Sequence, residues 1–271
     1  MVPKTIHYCW FGRNPKPKLP QKCIRSWKTC CPDYRIVEWN EGNYDLDSAP
    51  LYVRQAYHAK KWAFVTDYVR LQIVYEQGGI YLDTDVEMIR SLDRLLQNHV
   101  YFGFETDQTV NTGLGFGAEK GAEVLLDLMK AYEDLPFISS DGRYDVTPCP
   151  ERNTAVLRAK GLRADGSEQI LDGGIHIYPK PFFCPKDYES GETVITEDTY
   201  TIHHFNASWH TPFEKFLHIK ERRFIQKFGA MDGAEKMRTW KHRHRVLVVL
   251  FLEGPESLIR KAAKKLSLHR R

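Results

Sequence analysis

No two of the six cysteines (Cys9, Cys23, Cys30, Cys31, Cys149 and Cys184) stand in a C-x-x-C pair. That excludes a zinc ribbon or a thioredoxin-type redox site. Cys30 and Cys31 are neighbours and cannot bridge to each other without strain. A chain of 271 residues has no need of disulfide staples, so reduced thiols in a cytosolic protein are expected. Long apolar runs are missing too. The longest, Val246 to Leu252, is far below the roughly 20 residues that span a bilayer. No secretory pattern precedes the first strand-like segment, so the expectation is a cytoplasmic protein, soluble or peripheral on the inner face of a membrane. Neither charge sign dominates, the formal net charge being +4, which gives no reason to expect nucleic acid. The phosphate-cradling G-x-x-x-x-G-K-[ST] loop is absent, as are internal repeats and low-complexity segments.

What is present is the composition of a folded protein, 42% hydrophobic and 27% charged. The segment from Lys236 to Arg271 is dense in Lys, Arg and His. Such a stretch suits an anionic membrane surface, an acidic partner, or simply a solvated helical face. Lys4 to Trp10 alternates and reads as a strand, a Gly/Asn/Pro loop follows from Phe11 to Pro20, and Gln21 to Cys30 reads as a helix. After the turn at Pro32-Asp33, Tyr34 to Trp39 reads as a second strand. This βαβ opening favours a mostly parallel sheet in an α/β fold. Val53 to Gln77 reads as one long helix stopped by Gly78-Gly79. Ile80 to Val86 reads as a strand ending in acidic residues. Further strands are expected at Val100 to Glu105, Ile175 to Pro179 and Thr199 to His203, with a helix at Glu119 to Tyr132. Past Thr211 the character turns helical, amphipathic and basic. The expected division is a catalytic domain over residues 1–212 and a helical extension over 213–271.

The sharpest chemical signal is Asp83-Thr84-Asp85. Two carboxylates offer hard oxygen ligands to Mn²⁺ or Mg²⁺, and a divalent ion bridging carboxylate and diphosphate neutralises a departing nucleoside diphosphate. The spelling alone is weak, since about one Asp-x-Asp arises by chance in a chain of this length. A second does occur, Asp45-Leu46-Asp47, in a turn-like segment where capping or solvated carboxylates are expected. Context separates them, because the first follows an apolar strand, and ligands of open α/β sheets gather at the carboxyl ends of strands. Asp67 falls on the apolar stripe of the long helix, with Arg70 at i+3. That spacing also allows an ordinary internal ion pair.

The run Lys61-Trp62-Ala63-Phe64-Val65-Thr66-Asp67-Tyr68-Val69-Arg70, with Tyr75-Glu76-Gln77-Gly78-Gly79-Ile80-Tyr81-Leu82-Asp83-Thr84-Asp85, resembles the signature of the family 32 glycosyltransferases, the DXD-bearing sugar transferases. Capsule-type polysaccharide enzymes and fungal mannosyltransferases belong to that family, and the glucosylating clostridial toxins are related to it. Pro3 to Gly12 is similar to the family's opening strand, and His203 to Trp209 to its closing motif. The resemblance spans about residues 3 to 210, with little recognisable between Phe137 and Gly173. It implies a GT-A fold, a nucleotide-sugar donor (UDP-linked before GDP-linked), a Mn²⁺ or Mg²⁺ cofactor, and retention of anomeric configuration. The implied acceptor is a glycan or lipid-linked saccharide, as in capsule or surface polysaccharide synthesis.

The same resemblance implies roles for matching positions. Asp67 and Arg70 would contact the donor sugar and its phosphates, and Asp83, Thr84 and Asp85 would grip metal and diphosphate. Trp10 would stack on the base, with Phe11 and Gly12 shaping its pocket; a core Trp is the alternative. His204 and Ser208 would complete the metal shell or reach the diphosphate, and Trp209 would close over the donor. One of His203 and His204 is expected to face the core, and which of the two faces the metal is left open. Asn111-Thr112-Gly113, with Gly115 and Gly117, would approach the donor sugar or form an ordinary turn. Two rivals remain at this point. A metal-dependent nucleotidyltransferase would also use Asp-x-Asp but lacks its basic triphosphate motif here. A non-catalytic nucleotide-sugar or glycan-binding module would have no need of both carboxylates.

Overall fold

The computed structural model describes residues 1–206 and 211–253. Its contacts divide the chain into two compact units: Met1–Lys186 with Thr193–Asn206, and Asp187–Glu192 with Ala207–Arg271. In chain order the first unit holds β1 (Thr5–Cys9), α1 (Lys18–Cys30), β2 (Arg35–Trp39), α2 (Leu51–His58), α3 (Trp62–Gln77), β3 (Gly79–Tyr81), β4 (Val86–Met88) and β5 (Val100–Thr106). It continues with β6 (Thr109–Val110), β7 (Phe116–Ala118), α4 (Glu123–Glu133), α5 (Cys149–Ala159), β8 (Gln169–Leu171), β9 (Ile175–Tyr178), α6 (Lys180–Phe183) and β10 (Thr201–His203).

The central sheet runs β2-β1-β3-β7-β5-β9-β8, with β6 paired to β5. β1 pairs in parallel with β2 and β3, and β5 with β9. β7 lies antiparallel between β3 and β5, so β2, β1, β3, β5 and β9 all point one way. The α/β architecture with a mostly parallel central sheet is therefore as expected. Core residues pack on both faces, with Val65, Val69 and Leu71 of α3 in one cluster and Ile6, Trp27 and Ile80 in the other.

Two elements differ from the sequence reading. The helix expected from Val53 to Gln77 is broken into α2 and α3. Lys60 sits at φ 57°, and the Lys61 amide reaches back to the Ala56 carbonyl at 2.9 Å. That is a left-handed helix stop made by a residue other than glycine, so no compositional signal marks it. The strand expected from Ile80 to Val86 is also split. β3 ends at Tyr81, residues 82–85 turn, and β4 leaves the main sheet to pair antiparallel with β10. The glycine stop after α3 is tight: a Cβ on Gly79, whose φ is 109°, would lie 2.7 Å from the Thr5 carbonyl oxygen.

The second unit contains α7 (Pro212–Phe228), α8 (Ala230–Arg243) and α9 (Arg245–Glu253). Thr211 and Glu214 form a capping box at the start of α7, with Pro212 in the first turn. The Lys220 ammonium lies 4.8 Å from the Trp240 ring centroid, and Phe213 stacks on Phe251 at 4.8 Å. On α9, Val246, Leu247, Phe251 and Leu252 are exposed. No helix among the described residues is long and apolar enough to cross a membrane.

Candidate active site

The turn between β3 and β4 carries Asp83, Thr84 and Asp85. β1 holds this turn from below: the Leu82 amide donates to the His7 carbonyl at 3.1 Å. On the other side, β10 pairs with β4 so that His203 stands opposite Val86, one residue past Asp85. Ligand atoms of Asp83, Asp85 and His203 thereby come within 4.8 Å of one another, and His203 Nε2 lies 3.4 Å from Asp85 Oδ1. In an octahedral shell with ligands about 2.1 Å from the ion, ligand atoms sit roughly 3–4 Å apart. Two carboxylates and an imidazole this close together are a donor set for a divalent cation.

Arg70, on α3 and only 3% exposed, supports the cluster from behind. Its guanidinium donates to the Thr66 carbonyl (2.8 Å), to Asp67 Oδ1 (3.0 Å) and to Asp83 Oδ2 (3.3 Å). The Tyr81 hydroxyl donates to Asp83 Oδ1 at 3.1 Å. Both oxygens of Asp83 are thus oriented before any ligand arrives. The i,i+3 pair of Asp67 and Arg70 does form, but it is buried and extends to the acidic turn, so it differs from a surface helix pair.

Charge balance explains why the group is unusual. Asp67, Asp83 and Asp85 oppose Arg70, and three carboxylates against one guanidinium leave two uncompensated negative charges when His203 is neutral. Burial pushes Asp67 up to about 6, with the Asp83 charge adding to it against the pull of Arg70. Burial likewise raises Asp83 despite Arg70. Asp85 goes the other way: burial alone would raise it, but His203 and the Asn206 amide hold it down at about 2. For His203 burial is overcome by the Asp85 carboxylate, which raises it well above the ordinary imidazole range. The site favours positive charge, and the donor set fits a divalent cation.

The expected residues are not all brought together. His204 is turned away from the cluster, its Nε2 bonded to Glu87 at 2.8 Å while its amide donates to the Asp85 carbonyl. Of the two histidines left open by the sequence, His203 is the one beside the acidic pair. Alternation carried one residue past the end of β10 turns His204 the other way from His203, and only register shows which of them meets Asp85. Ser208 and Trp209 lie outside the described residues. Thr84 is half-buried between the two aspartates. Asn111 is committed internally: Oδ1 accepts from the Gly113 amide (2.6 Å) and the Cys149 thiol (3.3 Å), and Nδ2 donates to Glu105 (3.0 Å). Gly113 floors the site, since a Cβ there would lie 2.6 Å from Asp83 Oδ2. Sequence reasoning passed over Tyr81, Glu105 and Cys149, whose types carry no signal without their neighbours.

A separate cleft of about 390 Å³ lies at the ends of β1 and β2, lined by Trp10, Arg13, Lys16, Glu38 and Asn40 among others. The Trp10 ring is half-buried, its indole N–H donating to the Asn14 carbonyl, with the Lys16 ammonium 5.5 Å from its centroid. The Gly12 amide donates to Glu41 in the same loop. Phe11 differs from expectation: it is 4% exposed and packs edge-on against Tyr44 and Tyr57 in the core. Strand alternation carries past Cys9, so Phe11 and Trp10 face opposite ways.

Residues 17–101 match the family model described as the glycosyltransferase sugar-binding region containing the DXD motif. The chain is 29% identical over 145 residues to the inositol phosphoceramide mannosyltransferase 3 of Schizosaccharomyces pombe (strain 972 / ATCC 24843), covering 48% of this chain and 36% of that one. It thus spans about a third of the length of this relative. Among solved structures, the PaToxG glycosyltransferase superposes with a TM-score of 0.48 at 15% identity, over 58% of this chain and 69% of its own. The galactosyltransferase LgtC, in complex with donor and acceptor sugar analogues, gives 0.38 at 12% identity, over 87% and 95%. The family model and the fungal relative bear out the likeness to the DXD-bearing sugar transferases read from the sequence.

Proposed function

We propose that this protein is a metal-dependent glycosyltransferase of the GT-A type, moving a sugar from a nucleotide-sugar donor to a glycan or lipid-linked acceptor. The observation that carries this reading is the juxtaposition of the Asp83–Asp85 turn with His203, brought in from a distant part of the sequence, around an excess of negative charge. These residues would hold Mn²⁺ or Mg²⁺, which when bound supplies Lewis-acid neutralisation of the leaving diphosphate.

The remaining roles fall to the chain's own groups. Arg70 and Tyr81 hold the Asp83 carboxylate in one orientation, so no reorganisation is needed during the reaction. Asp67 faces the donor sugar and accepts from its hydroxyls. Trp10 stacks on the base in the cleft beside β1 and β2, and a UDP-linked donor is the first candidate, ahead of a GDP-linked one. Transfer proceeds with retention, by front-face attack of the acceptor hydroxyl, its proton passing to the departing phosphate. A role in capsule or surface polysaccharide synthesis accords with this chemistry. The exposed apolar side chains of α9, beside the basic residues of α8, would rest on an anionic bilayer where a lipid-linked acceptor resides.

Purified protein incubated with a panel of nucleotide sugars, with Mn²⁺ or with EDTA, tests the central reading. Release of nucleotide from one donor with Mn²⁺ and none with EDTA is expected. If Mn²⁺ and nucleoside diphosphate bind but no donor turns over with any saccharide acceptor, the protein is a binding module. Proton NMR of the product tests stereochemistry: an inverted anomer overturns front-face attack.

A further inference from the structure

The segment Val110 to Thr112 is held at three successive residues by three side chains of one helix. The Val110 amide donates to Thr154 Oγ1 at 2.9 Å. The Cys149 thiol donates to Asn111 Oδ1 at 3.3 Å. The Asn153 side-chain amide donates to Thr112 Oγ1 at 3.0 Å. Cys149, Asn153 and Thr154 all lie in the first two turns of α5, and all are buried.

The helix is itself anchored. Arg152 pairs with Asp145, and its guanidinium lies 5.3 Å from the Tyr132 ring centroid and 5.7 Å from that of Tyr52. What the three bonds hold is the floor of the acidic site. Asn111 Oδ1 also fixes the Gly113 amide, and the space a Gly113 Cβ would take is closed by Asp83 Oδ2 at 2.6 Å and Arg70 Nη1 at 3.1 Å. The segment begins at the end of β6 and leads into β7, on the far side of β3 from the Trp10 cleft. A shift of Gly113 is therefore felt at Asp83 and Arg70, and not at the end of the sheet where Trp10 lies.

We propose that Cys149, Asn153 and Thr154 are positioning residues, which set the distance between the 110–113 backbone and the Asp83–Arg70 pair and thereby control turnover of the donor without contacting it. This rests on the glycosyltransferase reading above. Displacements near 1 Å in a preorganised site cost roughly 100-fold in rate. Loss of one clamp bond should therefore act on kcat far more than on the donor KM.

Full-length Cys149→Ala, Asn153→Ala and Thr154→Val are compared with Cys149→Ser and Thr154→Ser, which keep a hydrogen-bonding group. Three quantities are measured: donor hydrolysis with Mn²⁺, hydrogen exchange of the 110–116 amides, and Mn²⁺ affinity. The first three variants should exchange faster in that segment and lose at least about tenfold in kcat, with KM changed less than about threefold. The two serine variants should recover most of both. Unchanged exchange, or faster exchange with unaltered kcat, overturns the proposal. If the wild-type protein turns over no donor, the glycosyltransferase reading has failed. The clamp is then judged on Mn²⁺ affinity: weaker binding in the first three variants, restored by serine, supports it, and equal affinity in all five overturns it.

Discussion

The same three-letter pattern occurs twice in this chain with opposite fates. Asp45-Leu46-Asp47 lies in an exposed turn, where Asp45 Oδ1 accepts from the Asp47 and Ser48 amides. The Ser48 hydroxyl first, and then the Ser48 and Asp47 amides, hold the Asp45 carboxyl below its ordinary value. Its charge is stabilised locally, facing water. Asp83-Thr84-Asp85 is surrounded by Arg70, Tyr81 and His203, and with Asp67 nearby the group keeps an excess of negative charge. An Asp-x-Asp is thus only a pair of carboxylates, and its surroundings decide whether it is a turn or a cation site.

The comparison breaks most readily by exchanging charge for amide. Asp83→Asn or Asp85→Asn should lower Mn²⁺-dependent nucleotide release by about 1,000-fold, the scale of losing a principal transition-state charge partner. Asp45→Asn and Asp47→Asn should change it less than about twofold, because an exposed turn carboxylate makes no such contact. Equal losses in both pairs would remove the distinction.

The two adjacent histidines sharpen it. His203→Ala should weaken Mn²⁺ binding by roughly 10–100-fold, the scale for loss of a metal-shell partner. His204→Ala, which removes only a partner of Glu87, should leave the affinity within about threefold on the same scale. Titration by electron paramagnetic resonance reads both. Gly113→Ala adds a methyl where Asp83 already stands, and overpacking of this kind costs about 1–3 kcal/mol. A lower melting temperature together with lost turnover is expected, and a variant as active as the wild type would show that the floor gives way.

A last effect, on stability rather than on the site, concerns His7, a second buried histidine shifted the other way from His203. Its Nε2–H donates to the Gly78 carbonyl (3.0 Å), and its Nδ1 accepts from the Trp39 indole (3.1 Å), leaving no acidic partner. Burial brings it down to about 4. The unfolded chain, with an ordinary value near 6.5, takes up the proton first. Stability contributed by neutral His7 is therefore complete above about 6.5, and is lost as pH falls towards 4, by up to ~3 kcal/mol. Urea unfolding across that range checks the sign. His7→Gln, which keeps a donor and an acceptor, should flatten this part of the pH dependence.

Legibility from sequence differed with the range of the interaction. The β1–α1–β2 opening and the stop after α3 were readable because alternation, prolines and Gly78-Gly79 are local signals. The break at Lys60 was not, since a left-handed lysine stop carries no compositional mark. The region between Phe137 and Gly173 resembled nothing specific, yet α5 within it clamps the floor of the site. Its contribution is made by Cys149, Asn153 and Thr154, residue types that are ordinary in any helix.

By itself the sequence determined the α/β order of elements, the buried character of α3 and the candidacy of Asp83 and Asp85. These rest on periodicity, turn chemistry and a contiguous motif, all of them short-range. Only the tertiary structure decided that His203 and not His204 joins the acidic pair, that Phe11 packs in the core while Trp10 lines a cleft, and that α5 holds residues 110–112. Each depends on strand register, on alternation across a sheet, or on pairing between segments far apart in the chain. A one-residue slip reverses which side chain faces the site, and nothing in the local spelling of β10 states its register against β4.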